Sequence, residues 1–154
     1  MGTEFNNAGM GFTNDGGIYK TMINKTGAPT VLGTVIGPYK GATVIVNAFQ
    51  LEATPNYDPV GIVVEAGIAD GSPCKVVFVG SAYVRLKENS GTTKGNWVGP
   101  SAEPGNADAT ATDPPGGGIV ELQEHFKEIG HTLETVAAGG AGTYALCLCE
   151  IHFC

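Results

Sequence analysis

The sequence predicts a mainly β fold: a small antiparallel β-barrel or sandwich with two related hairpins, at most one short helix and a long Gly/Pro-rich loop. Three observations predict it. Glycine occupies 24 positions while charged residues make up only 15% of the chain, a balance that suits a chain that turns often. Two-residue alternation marks Ala82 to Leu86 and the stretch Tyr144 to Phe153, the period of strands with one dry face. A hairpin-like unit also occurs twice. Val60 to Glu65, Gly67 to Gly71 and Lys75 to Val79 read without a gap onto Ile129 to Glu134, Ala137 to Gly140 and Tyr144 to Leu148, sixty-nine residues later. Gly61/Gly130, Glu65/Glu134, Ala69/Ala138 and Gly71/Gly140 are identical in that alignment, and Val60/Ile129, Val64/Leu133, Val77/Leu146 and Val79/Leu148 are apolar in both copies. A lone two-stranded hairpin is barely stable in water, so two copies are expected to share one core.

At 154 residues and 15.8 kDa the chain is expected to form an arm over 1–18 and a single β domain over 19–154. The first seventeen residues hold Gly2, Gly9, Gly11, Gly16 and Gly17 and little to bury apart from Phe5, Met10 and Phe12; they read as an arm, disordered alone or laid along a neighbour. Tyr19 to Asn24 and Thr30 to Ile36 read as strands around the Lys25 to Pro29 turn, and Gly37-Pro38 closes the second. Ala42 to Leu51 reads as a third strand, with Val44, Val46, Ala48 and Phe49 in a run too apolar to be half-exposed. The first hairpin copy follows. Its second strand continues through Gly80, where a bend is expected, into Ala82, Val84 and Leu86. Residues 99–118 read as a long exposed loop, with Trp97 plugging the core at its base. Ile119, Leu122 and Phe126 suit a short helix or turn near 120–127, with a strand from 129. The final strand carries Ala145, Cys147, Cys149, Ile151 and Phe153 on one face.

Net charge of −7 and a pI near 4.8 repel phosphate backbones and anionic lipid, so neither nucleic acid nor membrane is an expected partner. Without a basic, apolar leader or a membrane-length apolar run, the chain reads as soluble and unexported. Cys147, Cys149, His152 and Cys154 form a tempting Cys-x-Cys-x-x-His-x-Cys cluster. On a strand, however, the first two face opposite to the last two, and four tetrahedral donors cannot meet. These cysteines, and Cys74, read as free thiols, and no metal is expected. His125, His131 and His152 lie in no nucleophile or zinc-protease motif. Glu65 and Glu134 recur because the hairpin recurs; as strand-end carboxylates they suit a glycosidase-like dyad less well than solvated or turn-capping roles. Gly139 to Thr143 lacks the Lys-Ser/Thr of a phosphate loop. No catalytic, cofactor-binding or metal residue is therefore assigned.

Taken together, Pro59 to Gly71, Lys75 to Gly80, His125 to Glu134 and Cys149 to Phe153 carry a resemblance. Over about residues 20 to 153 the chain resembles the capsid decoration (cement) proteins of tailed bacteriophages; its Gly/Asn-rich start is less similar. The resemblance implies a non-enzymatic barrel or sandwich on the outside of a virion capsid, made in the host cytoplasm. It further implies a homotrimer bridging neighbouring major capsid proteins. A tail or head-fibre component, and a small hydrolase using Glu65 or Glu134, are the other readings.

Overall fold

A computed structural model describes residues 9–52, 58–111 and 127–153. The described residues form a mainly β fold of ten strands: β1 (Met10–Phe12), β2 (Ile18–Asn24), β3 (Val35–Pro38), β4 (Ala48–Leu51), β5 (Gly61–Val63), β6 (Pro73–Arg85), β7 (Trp97–Pro100), β8 (Ala107–Thr110), β9 (Gly130–Thr132) and β10 (Leu146–His152). Strand β2 pairs in parallel with β4 through Ile23–Ala48 and Asn24–Phe49, and antiparallel with β6 on its other side. Strands β4, β3, β5 and β6 follow one another antiparallel. The circle closes into a five-stranded barrel, which leaves its five strands no open edge.

The same arrangement then recurs. The second half of β6 pairs with β10, β10 with β9, β9 with β7 and β7 with β8. A parallel bridge between Leu86 and Ala107 closes this second ring. Its details reproduce the first: Lys25 N–H donates to the Phe49 carbonyl at 2.9 Å, and Lys87 N–H to the Ala107 carbonyl at 2.8 Å. Gly33 N–H donates to the Val63 carbonyl and Gly95 N–H to the Thr132 carbonyl, each at 2.8 Å. Gly27 and Asn89 hold equivalent left-handed positions, with φ of 80° and 52°. Val35-Ile36-Gly37-Pro38 and Trp97-Val98-Gly99-Pro100 are the same strand in the two copies. The duplication therefore extends beyond the hairpin to a whole barrel.

Each barrel is filled from its own strands. Met22, Ile36, Phe49, Val63, Cys74 and Val76 pack in the first. The second takes Val84, Leu86, Val98, Ala107, Ile129, Cys147, Cys149 and Ile151, and the same cluster includes Val35, Ile62 and Val77 from the first barrel. The barrels are thus joined by a common apolar cluster as well as by the thirteen-residue β6. Gly80 bends that strand at φ 87°, and a Cβ there would stand 2.5 Å from the Gly16 carbonyl oxygen. The expected bend is present, with Ala82, Val84 and Leu86 buried beyond it.

Several expectations are corrected. The two hairpins are equivalent, but not in gapless register. Ile62 and Val63 face Val77 and Val76, whereas His131 and Thr132 face Glu150 and Cys149. Cys74 therefore matches Cys147 rather than Thr143, and Val77 matches Glu150 rather than Leu146. Eight residues separate Glu65 from Cys74, and twelve separate Glu134 from Cys147; the extra length is absorbed in the turn, where register is not constrained. Part of the expected arm is strand β1, with Met10 opposite Lys20. Its glycines serve a hairpin: Gly16 turns at φ 93°, and Gly17 N–H donates to Thr13 Oγ1 at 2.9 Å. Residues 1–8 lie outside the described residues.

The expected loop over 99–118 is in part a second-barrel hairpin. Pro100 pairs with Ala107, and Ser101, Gly105 and Asn106 are buried at the turn; 112–118, and the helix expected near 120–127 up to 126, lie outside the described residues. Strand β4 begins only at Ala48. Val44 and Val46 are 90% and 77% exposed, because Asn47 at φ 54° turns the chain before the barrel starts. The strand expected from Thr30 starts at Val35, after a turn at Gly33.

Candidate functional site

Two of the histidines noted in the sequence meet on the outside of the second barrel. Strand β10 alternates as expected: Cys147, Cys149 and Ile151 point inward, leaving His152 partly exposed. Strand β9 lies against it with Gly130 opposite Ile151. A Cβ at Gly130 would fall 1.8 Å from the Glu150 carbonyl oxygen, so only glycine admits this approach. His152 N–H donates to the Ile129 carbonyl at 2.9 Å, and Ile129 N–H to the Val98 carbonyl at 2.8 Å. These bonds fix the segment that carries Glu128 and His131.

His131 Nδ1 lies 3.0 Å from His152 Nε2. Glu128 Oε1 lies 3.6 Å from the former and 3.2 Å from the latter. The Glu128 side chain is only 2% exposed, against 34% for His131 and 41% for His152. A buried carboxylate thus forms the floor, and two imidazoles form walls open to solvent. The Trp97 ring stands 4.1 Å from that of His131, tilted by 52°. Trp97, Glu128, Asp108 and Thr110 also line an adjoining groove of about 230 Å³. Trp97 is therefore not the expected core plug; it is half-buried and buttresses the His131 ring. The triad brings two imidazole nitrogens and a carboxyl oxygen together, a donor set suited to a cation.

The residues singled out from sequence are placed otherwise. Cys147 and Cys149 are fully buried, facing the barrel interior while His152 faces out, so the Cys-x-Cys-x-x-His spacing does not converge; Cys154 and His125 lie outside the described residues. The Cys149 thiol is held well above its ordinary value by its hydrogen bond with Cys147 and by burial. Burial, with the nearby Glu65 charge, pushes the Cys74 thiol up to about 11. Neither is primed as a thiolate.

Glu65 and Glu134 occupy equivalent posts in separate barrels. Glu65 Oε2 accepts from Lys75 N–H at 2.9 Å, and Glu134 Oε1 from Leu148 N–H at 2.7 Å. Glu65 also pairs with the Lys75 ammonium at 3.0 Å. Burial pushes the Glu65 carboxyl up, but these Lys75 contacts outweigh it and hold it below 4.5. Both glutamates brace hairpins. Gly139 to Thr143 forms a turn closed by Thr143 N–H donating to the Gly140 carbonyl at 3.0 Å.

Sequence reasoning passed over the triad, because it tested the cysteines with His152 and left Glu128 aside. The available signal was Glu128-Ile129-Gly130-His131 leading into one strand of a hairpin whose other strand ends in His152. No protein-family model matches the chain, and no curated protein matches it.

Proposed function

We propose that this chain is a structural, non-enzymatic virion protein of a tailed phage, one that binds the outside of the capsid and stabilises the shell by bridging major capsid proteins, as a homotrimer. One observation carries the reading. Two fused barrels leave apolar side chains outside their cores, on β1 and on the segment before β4. Met10 and Phe12 on β1 are 58% and 79% exposed, and Val44 and Val46 are 90% and 77% exposed. Among the described residues strand β1 pairs only with β2, and an edge so placed offers backbone donors and acceptors for strand addition by a neighbour.

Fused barrels with a common apolar cluster favour a stiff spacer, and many copies on a lattice compensate for modest affinity per contact. Glu65 and Glu134, either of which a hydrolase reading would use, are engaged in hairpin bracing, which supports the non-enzymatic reading.

The test adds purified protein to preformed phage shells that lack it and follows co-sedimentation and shell melting. The expected result is saturable binding and a raised shell melting temperature, both lost in a folded Phe12→Asp/Val44→Asp variant. Failure to bind shells, with binding to tails or fibres instead, would overturn the capsid reading in favour of another virion component. Unchanged binding by the variant would overturn the assignment of these contact segments.

A further inference from the structure

We infer that Glu128, His131 and His152 form a binding site for a divalent transition-metal ion of the zinc class. Three donor atoms at mutual distances of 3.0, 3.2 and 3.6 Å surround a common point. Zinc bonds of about 2.0–2.2 Å in tetrahedral array set donors roughly 3.3–3.6 Å apart, so an ion fits between them with sub-ångström adjustment. Two imidazoles and one carboxylate are borderline donors, which favour zinc-like ions over calcium or magnesium. The partial exposure of both histidines leaves the remaining coordination position facing outward, for water or for a donor from a neighbouring protein.

The duplication supplies an internal control. Positions equivalent to Glu128, His131 and His152 in the first barrel are Pro59, Ile62 and Val79, and Val35 stands for Trp97. The barrel scaffold therefore does not require these polar groups. Where the first copy has Val35 and Ile62 buried at the junction between the barrels, the second carries three convergent polar groups and an aromatic ring at the surface. A proton-bridged His–His–Glu cluster is the competing account, and it predicts no dependence on metal.

The experiment uses the full chain, stripped with EDTA. Zn²⁺ is titrated calorimetrically, and Co²⁺ by visible absorption and by quenching of the single tryptophan. The expected result is one equivalent bound, a Co²⁺ d–d band of four- or five-coordinate intensity and quenched Trp97 emission. His152→Gln, at the partly exposed end of β10, should keep the same melting profile in EDTA. It should weaken binding by more than the roughly 10- to 100-fold that loss of an outer-shell partner costs, while Cys154→Ser binds normally. No Co²⁺ band at excess metal overturns the site. So does a thiolate charge-transfer band that survives in His152→Gln and disappears in Cys154→Ser, which would put the ion on cysteine. The site stands or falls independently of shell binding.

Discussion

Glu52 sits fully buried beside Gly37, where a Cβ would meet its Oε2 at 1.9 Å, so glycine at 37 makes room for the carboxylate. Burial raises the Glu52 carboxyl above 4.5; the Asp58 N–H bond and the Lys40 charge oppose that rise without cancelling it. A folded value above the unfolded one means that the native state binds the proton more tightly. Stability contributed by the protonated acid is then complete below the unfolded value and is lost as pH rises through the folded value. Glu52→Gln should gain stability relative to the native sequence as pH is raised from 4 to 7; urea unfolding at the two pH values checks this, and a pH-independent difference contradicts it. At Gly130 the restriction is backbone against backbone. Gly130→Ala should cost about 1–3 kcal/mol, the usual range for overpacking, measured by the same unfolding experiment, and should displace His131 from His152.

At the scale of the element, each barrel's closing hairpin uses one glutamate to satisfy a backbone donor beside a buried cysteine: Glu65 at Lys75, and Glu134 at Leu148. The second hairpin spans the longer turn, so its glutamate restrains more chain. Glu134→Ala leaves the Leu148 N–H without that acceptor, at a cost of about 1–3 kcal/mol where the donor stays shielded from water. Hydrogen exchange at Leu148 should accelerate while exchange at Lys75 is unchanged. Equal acceleration at both would show that the hairpins are not braced separately.

Across the whole molecule, β6 belongs to both barrels, and Val35, Ile62 and Val77 of the first share the second barrel's apolar cluster. The two copies should therefore melt in one transition, with calorimetric and van't Hoff enthalpies in agreement; two resolved transitions would contradict this. The equivalent positions Ile62 and His131 give a contrast. Ile62→Ala removes a fully buried side chain at the junction and should cost about 2–5 kcal/mol. His131→Ala, in EDTA, should cost about 1 kcal/mol or less, because its side chain faces the outside of the second barrel. Chemical denaturation of the two variants measures the difference.

The sequence by itself determined the β class, the dry faces of β6 and β10, the bend at Gly80 and the existence of a repeated hairpin. Alternation and glycine report local backbone and burial directly, so these were legible. Gly37-Pro38 and Gly99-Pro100, with Gly33 and Gly95, also marked the larger duplication, but they recur 62 residues apart against 69 for the start of the hairpin, so no single gapless offset joins them. Only the tertiary structure decided that register, the closure of two barrels, the outward place of Trp97 and the meeting of Glu128 and His131 with His152. Those depend on which strands pair and at what offset, and pairing is fixed by the packing of a common core. A stretch of chain read alone carries no record of the neighbour that its side chains will meet.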